Sequence, residues 1–222
     1  MSISVHIGKV LPPVVTGPEA MLALIKAYGI IPFFENPVAG FSVEEHTPPE
    51  HWFTDESLGP WDWKIHCVQS GEVAFATAEV YRELMNWRRA QSKYQTTPDQ
   101  RKVLDFVAEN GSVSIAEVRR LLGVKKSAAD AVIARLMQQT RLVTGDIRRV
   151  YRGADLHYAG WQRSSFCAPE SLFEELDFPF PGFVPRSMCS TRTPEESLAF
   201  VEDIVRTHAG DIPRKLMDKM LQ

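Results

Sequence analysis

Two tryptophans, an acid and a lysine are adjacent at Trp61-Asp62-Trp63-Lys64, and side chains of these types can act on a nucleobase. An aromatic ring can stack on a base that has left the duplex, and a carboxylate can position the water that base excision requires. The simpler interpretation is that both tryptophans fill the core of a small domain, while Asp62 pairs with Lys64. The segment is therefore a candidate pocket formed by Trp61, Asp62, Trp63 and Lys64, with both explanations open.

The rest of the sequence offers no pattern for a metal, a cofactor or a nucleophile. The clustered residues of metal-ligand type are His46, His51, His66 and Cys67. Their spacing matches no zinc pattern, and Pro48-Pro49 argues against a helix that would align the first two histidines. The Gly-x-Ser-x-Gly, Gly-x-Gly-x-x-Gly and phosphate-loop motifs are all missing from the sequence. We therefore expect no metal and no cofactor.

The middle of the chain is basic and lies between two acidic flanks. Residues 82–152 hold 15 Lys and Arg against 7 Asp and Glu, whereas residues 1–81 and 153–222 carry net charges of −7 and −4. A basic face attracts phosphate groups, so the region predicts a DNA partner, although a solvated Arg-rich surface is the alternative. The basic residues are Arg82, Arg88, Arg89, Lys93, Arg101, Lys102, Arg119, Arg120, Lys125, Lys126, Arg135, Arg141, Arg148, Arg149 and Arg152.

This basic region has the element order of a winged helix. Capping signals predict a first helix that starts at Thr97-Pro98, and further helices over about 115–122 and 126–139 meet at Gly123. Strand candidates follow in the order 142–144, 148–151 and 156–163, with turns expected at Gly145-Asp146 and Gly153-Ala154-Asp155.

The third helix and the wing are the parts that would face DNA. Lysines at the start of that helix suit phosphate contacts. Asp130 repels phosphate and the neighbouring alanines offer only methyl contacts, so these residues are poorly suited to recognise base edges. The pattern therefore disfavours a typical sequence-specific transcription factor. The predicted DNA-binding residues are Lys125, Lys126, Ser127, Arg135, Gln138, Arg148, Arg149 and Arg152.

The first ninety-five residues predict a second winged-helix-like unit of short helices and one strand. The expected elements are helices over 18–28, from Ser42, over about 60–68 and over 78–90, with a strand at 72–76.

Several segments along the chain resemble one family. "GIIPFFENPVAGFSVEEHTPPEHWF", "GPWDWK" and "SGEVAFA", with Gln139-Thr140-Arg141-Leu142 and Gly160-Trp161, resemble the AlkZ-related proteins, small relatives of the AlkZ/YcaQ winged-helix DNA glycosylases. The resemblance covers roughly residues 19–176 and implies tandem winged helices and a link to DNA. The glycosylases use a Gln-x-Gln or Gln-x-Asp motif, which neither Gln138-Gln139 nor the spaced Gln91 and Gln95 match. No catalytic role is therefore carried over, and enzymatic activity is left open.

The C-terminal part predicts a capped helix from Thr193 and a last amphipathic helix from Ile212-Pro213. An apolar stripe of this kind must be buried, either on the chain's own core or in a homodimer. The predicted organisation is an N-terminal winged-helix-like region (1–95), a winged-helix domain (96–166) and a C-terminal helical extension (167–222).

Composition places the chain among globular proteins. Its 222 residues are 44% hydrophobic and carry a net charge of −3, which excludes a disordered tail protein. The three cysteines are widely spaced, and no apolar run is long enough to span a membrane, so we expect a soluble, reduced, cytoplasmic protein with no membrane partner.

Two function classes follow from these observations. One is a DNA-binding winged-helix protein related to DNA repair, which requires an open basic face. The other is a non-catalytic scaffold or protein-interaction module, in which the basic groups pair with acids of the flanks. A third, less favoured class is a small-molecule enzyme with a deep pocket at Trp61–Lys64. In every case we expect a mostly helical α+β fold.

Overall fold

The fold is a mixed α+β arrangement with two small antiparallel sheets. It is given by a computed structural model that describes residues 14–48, 68–70, 74–152, 157–172 and 189–221.

The N-terminal part combines two helices with the first sheet. Thr77 caps the second helix by accepting from the backbone N–H of Val80, and Gly29 ends the first with φ of 73°. The strands lie in the order β1-β3-β2, with Ile31 opposite Phe75. The elements are α1 (Pro18–Tyr28), β1 (Ile30–Pro32), β2 (Val68–Ser70), β3 (Ala74–Ala76) and α2 (Ala78–Ala90).

The two C-terminal helices return to this N-terminal part. They are α6 (Pro194–Ala209) and α7 (Arg214–Leu221), and α6 starts at a capping box formed by Thr193 and Glu196. Their buried apolar side chains join α1, α2 and the first sheet in one hydrophobic cluster, which we call the larger core. The apolar stripe of α7, with Met217 and Leu221, is therefore buried within the chain's own core.

The middle of the chain builds a second hydrophobic cluster, the smaller core. Capping boxes at Thr97 and Ser114 start its first two helices, and Gly111 and Gly123 end them. The second sheet has the strand order β4-β6-β5. The elements are α3 (Pro98–Asn110), β4 (Val113–Ser114), α4 (Ile115–Leu122), α5 (Lys126–Gln138), β5 (Val143–Arg152) and β6 (His157–Cys167).

The start of β5 connects the two cores. Leu142 packs in the smaller core and Val143 in the larger one, because successive side chains leave an extended backbone on opposite sides.

Two local predictions are wrong. The two strand candidates 142–144 and 148–151 fall in one strand that starts at Val143, and Gly145-Asp146 lies at a register shift between Thr144 and Ile147 rather than in a turn. A glycine inside a strand often marks such an irregularity, and here a side chain on Gly145 would lie 3.2 Å from the Sγ of Cys167. The helix predicted over about 60–68 is wrong at its last residue, because Val68 begins β2, which pairs with β3.

The remaining N-terminal predictions have mixed outcomes. The helices over 18–28 and 78–90 are confirmed, and the helix expected from Ser42 is a single 3₁₀ turn at Glu44–His46. Residues 59–67 lie outside the described part of the chain. In the described ranges, no helix is both long and apolar enough to cross a membrane.

Candidate nucleic-acid interface

The turn between α4 and α5 presents a cluster of exposed basic groups. Ser114 and Glu117 fix the start of α4, and Gly123 ends it in the left-handed region with φ of 66°. The next helix therefore starts at once, with Lys125 at its N-cap and no side-chain cap. The first N–H groups of α5 point out of the helix end, where the helix dipole places partial positive charge. Backbone and side chains thus favour an anion at the same place.

The four basic residues at this turn are Arg119, Arg120, Lys125 and Lys126, and all are exposed. We call them the α4–α5 basic cluster. Arg120 lies 3.9 Å from Glu117, and Lys126 donates to Asp130 at 2.8 Å, so these two are partly neutralised within their own helices. Among the described residues, no ion pair joins Arg119 or Lys125 to an acid. These two side chains are therefore available to a phosphate.

The outward face of α5 carries small side chains. Ser127, Ala128, Ala131 and Ala134 are exposed, while Ala129 and Ile133 are buried in the smaller core. A face of this kind can approach a groove closely, but it offers one hydroxyl group and several methyl groups to base edges. It suits contact with the backbone of a duplex better than base-specific recognition.

Two predicted DNA-binding residues are held by contacts inside the chain. The guanidinium of Arg135 donates to the side-chain oxygen of Gln138 at 3.2 Å and to the backbone carbonyl of Lys93. It also lies 5.2 Å from the ring centre of Tyr94. Arg135 thus holds the 3₁₀ turn Ser92–Tyr94 against α5, and Gln138 accepts a hydrogen bond from the same guanidinium.

The other predicted site residues are placed only in part. Arg148, Arg149 and Arg152 lie on β5, with backbone positions opposite Arg163, Gln162 and His157 of β6. The candidate pocket at Trp61, Asp62, Trp63 and Lys64 lies outside the described residues. No group of metal-ligand residues occurs within the part of the chain that the structure describes.

Arg88 and Arg89 on α2 have a role that sequence reasoning missed. Arg88 is 5% exposed and donates to the carbonyls of Leu221 and Gln138, at the ends of α7 and α5. Burial lowers the pKa of the Arg88 guanidinium. Arg89 donates to Glu170 and to the carbonyl of Thr140, both at 2.6 Å. The sequence signal was helical spacing, because Arg88 follows Leu84 and Tyr81 on the buried face of α2.

A comparison with protein families gives one result. A family model described as AlkZ related matches residues 15–222, which confirms the resemblance and extends it through α7. No curated protein and no solved structure matches the chain.

Proposed function

The chain belongs to the AlkZ-related family, and on that basis we propose that it is a DNA-binding winged-helix protein related to DNA-repair proteins. The observation that carries the proposal is the α4–α5 basic cluster, where exposed lysines flank a helix start that has no side-chain cap. Phosphate contacts of this kind position a protein on a duplex without reading its sequence.

The winged-helix architecture is part of the proposal. The order α3, β4, α4, α5, β5 and β6, with the sheet order β4-β6-β5, supports a winged helix in residues 96–166. In such a unit α5 would be the recognition helix and the β5–β6 hairpin the wing. The arginines of β5, Arg148, Arg149 and Arg152, would then lie on the wing that flanks α5.

Sequence discrimination by this interface is expected to be weak. The exposed face of α5 carries three alanines, and Arg135 is already engaged with Lys93 and Gln138. Few donors therefore reach base edges, and binding depends chiefly on backbone phosphates. Base excision is not part of the proposal, because the glutamine motif of the related glycosylases is not matched.

One set of contacts favours the alternative, a scaffold without DNA binding. Arg82 pairs with Glu83 at 2.8 Å, Arg89 with Glu170 at 2.6 Å, and Arg88 binds two helix-end carbonyls. These three arginines of the basic middle region stabilise the fold and are not available to DNA. Whether the protein binds DNA or serves as a scaffold therefore depends on the α4–α5 basic cluster.

A salt titration of duplex binding tests the proposal. The wild-type chain is compared with the double variant Lys125→Gln, Lys126→Gln on a labelled generic duplex, and log Kd is plotted against log salt concentration. Each lost phosphate contact lowers the slope by about 0.9, so we expect the variant to lose roughly one to two units of slope. Affinity should also change little when the duplex sequence is permuted.

The matched control is Lys215→Gln, Lys219→Gln, which removes the same charge from exposed positions on α7. It should leave the slope close to that of the wild type. Absence of binding at low salt would contradict the proposal and favour the scaffold. An equal loss of slope in both double variants would place the contact elsewhere.

A further inference from the structure

The segment between α2 and α3 is held against the end of α5 at two backbone carbonyls. The guanidinium of Arg135 donates to the carbonyl of Lys93. The side-chain amide of Gln139 donates to the carbonyl of Gln95 at 3.2 Å. Tyr94 lies between these two residues in the chain and is 3% exposed. The segment therefore has a fixed position beside α5 before any ligand binds.

Lys93 and Arg135 place two positive charges at the ring of Tyr94. The Nζ of Lys93 lies 4.9 Å from the ring centre, and the Cζ of Arg135 lies 5.2 Å from the same centre. Within the ranges that the structure describes, no ion pair joins either side chain to an acid. Arg135 is half-buried and already donates to two oxygens, whereas Lys93 is exposed. The positive charge that a ligand can reach here is therefore that of Lys93.

This pair of cations lies at the far end of the outward face of α5. Arg135 follows Ser127 and Ala131 at intervals of four residues, which puts the three on one side of the helix. Lys125 is the N-cap at the opposite end of the helix, in the α4–α5 basic cluster. The helix rises about 15 Å from Lys125 to Arg135. Basic groups therefore stand at both ends of a face whose side chains are small.

The spacing of these groups fits a duplex groove. The major groove of B-DNA is about 12 Å wide and admits an α-helix, and a row of phosphates from each strand borders it. The small outward side chains of α5 leave room for the helix to enter, and basic groups at its two ends can then reach the two rows. A single strand offers only one row of phosphates.

We propose that Lys93 is a second phosphate contact, on the opposite side of the major groove from Lys125 and Lys126, and that Arg135 positions Lys93 rather than binding DNA itself. This inference rests on the proposed function, because it requires that the protein binds a duplex. It adds a residue outside the α4–α5 basic cluster and gives α5 a direction across the groove. Because the backbone of the segment is already fixed to α5, binding does not have to order it.

A salt titration of the full chain on a labelled generic duplex tests the contact. Lys93→Gln should lower the slope of log Kd against log salt concentration by about 0.9, the effect of one lost phosphate contact. The matched control is Lys26→Gln, which removes an exposed lysine from α1 and should keep the wild-type slope. Circular dichroism should show the same unfolding midpoint for both variants as for the wild type, because both lysines are exposed.

The same titration separates failure of this inference from failure of the proposed function. If the wild type binds and Lys125→Gln, Lys126→Gln loses slope while Lys93→Gln does not, the second contact is overturned and the proposed function stands. If the wild type does not bind at low salt, both are overturned.

A double-mutant cycle tests the positioning role of Arg135. Arg135→Met keeps the apolar stem but removes the donor to the Lys93 carbonyl. It should lower the slope in the wild-type background and leave it unchanged in the Lys93→Gln background, because Arg135 acts through Lys93. Losses of slope that add in the double variant would show that Arg135 contacts a phosphate itself, which would overturn its positioning role.

A duplex with one uncharged strand tests the placement across the groove. Methylphosphonate linkages replace the phosphates of one strand, and the protein is free to direct the α4–α5 basic cluster to the charged strand. Lys93 then faces the uncharged strand, so Lys93→Gln should no longer change the slope. If Lys93→Gln lowers the slope on this duplex as it does on the ordinary one, both contacts follow the same strand and the placement across the groove is overturned.

Discussion

Glu83 shows how one buried carboxylate can join distant parts of the chain. Its side chain is 0% exposed, accepts hydrogen bonds from Ser197 at 2.7 Å and from Arg82 at 2.8 Å, and forms an ion pair with Arg192 at 3.0 Å. The hydroxyl of Ser190 also donates to it. Burial alone would raise the pKa of Glu83, but the hydrogen bonds from both serines and Arg82 hold it below the ordinary value. The ionised carboxylate thus attaches residues 190–197 to α2.

Replacing Glu83 with Gln should destabilise the protein by about 2–3 kcal/mol at pH 7, because charged hydrogen bonds at a buried site are lost. The lowered pKa means that this stabilisation is complete above the unfolded pKa of about 4.3 and is lost as the pH falls through the folded pKa. The difference in free energy of unfolding between the wild type and Glu83→Gln should therefore become smaller at acidic pH. Urea unfolding at neutral and acidic pH measures both effects. Glu79→Gln, exposed on the same helix, should change stability by less than about 0.5 kcal/mol.

Gly29 sets how closely α6 approaches the turn between α1 and β1. Its φ is 73°, a conformation that favours glycine, and its N–H donates to the carbonyl of Ile25 at 2.8 Å. A Cβ atom at this position would lie 2.9 Å from Cγ2 of Ile204 and 3.2 Å from Cγ2 of Val80. The absence of a side chain at the end of α1 is therefore required for α6 to pack there.

Gly29→Ala should destabilise the chain more than Gly40→Ala does. Both positions have positive φ, but a Cβ at Gly40 would meet nothing within 4 Å. Gly40→Ala should cost about 1 kcal/mol from backbone strain, and Gly29→Ala about 2–3 kcal/mol because α6 must also move. Urea unfolding of the two variants gives the comparison. Equal losses of stability in the two variants would mean that Ile204 moves away from the new methyl group at no cost.

At the scale of the whole molecule, Arg88 links the larger core to the smaller core. Arg88 leaves α2 in the larger core and donates to Gln138 of α5 at 3.0 Å, next to the smaller core. It also donates to the carbonyl of Leu221 at 2.6 Å, which satisfies the end of α7. Three helices from distant parts of the sequence therefore meet at one guanidinium. Cooperative unfolding of both cores is the expected result of this contact.

Arg88→Met should weaken that cooperativity. The variant keeps an apolar stem but leaves two helix-end carbonyls without a donor, at a net cost of about 2 kcal/mol. We expect urea transitions followed by circular dichroism and by tryptophan fluorescence to separate in the variant and to coincide in the wild type. Arg101→Met, at an exposed position of α3, is the control. Coincident transitions at an unchanged midpoint would show that Arg88 does not couple the cores.

Local signals predicted most helices of this fold correctly. The capping boxes at Thr97 and Thr193 and the glycines at 29, 111 and 123 delimit elements that the structure shows. The strands were predicted less well, because strand pairing depends on partners far away in sequence. Gly145-Asp146 has turn residues, yet β6 pairs on both sides of it and keeps the strand continuous.

At the α4–α5 basic cluster, sequence alone determined which charges lie together, because a short turn between two helices fixes their neighbours. Only the tertiary structure decided which basic residues are available to a ligand. Arg88, Arg89 and Arg135 count as surface charges in the sequence, but their acceptors come from α5, α7, Lys93 and Glu170. The apolar stripe of α7 was similarly predictable, and its place in the larger core was not. The physical reason is the same in both cases: a helix determines which residues share a face, and packing determines what covers that face.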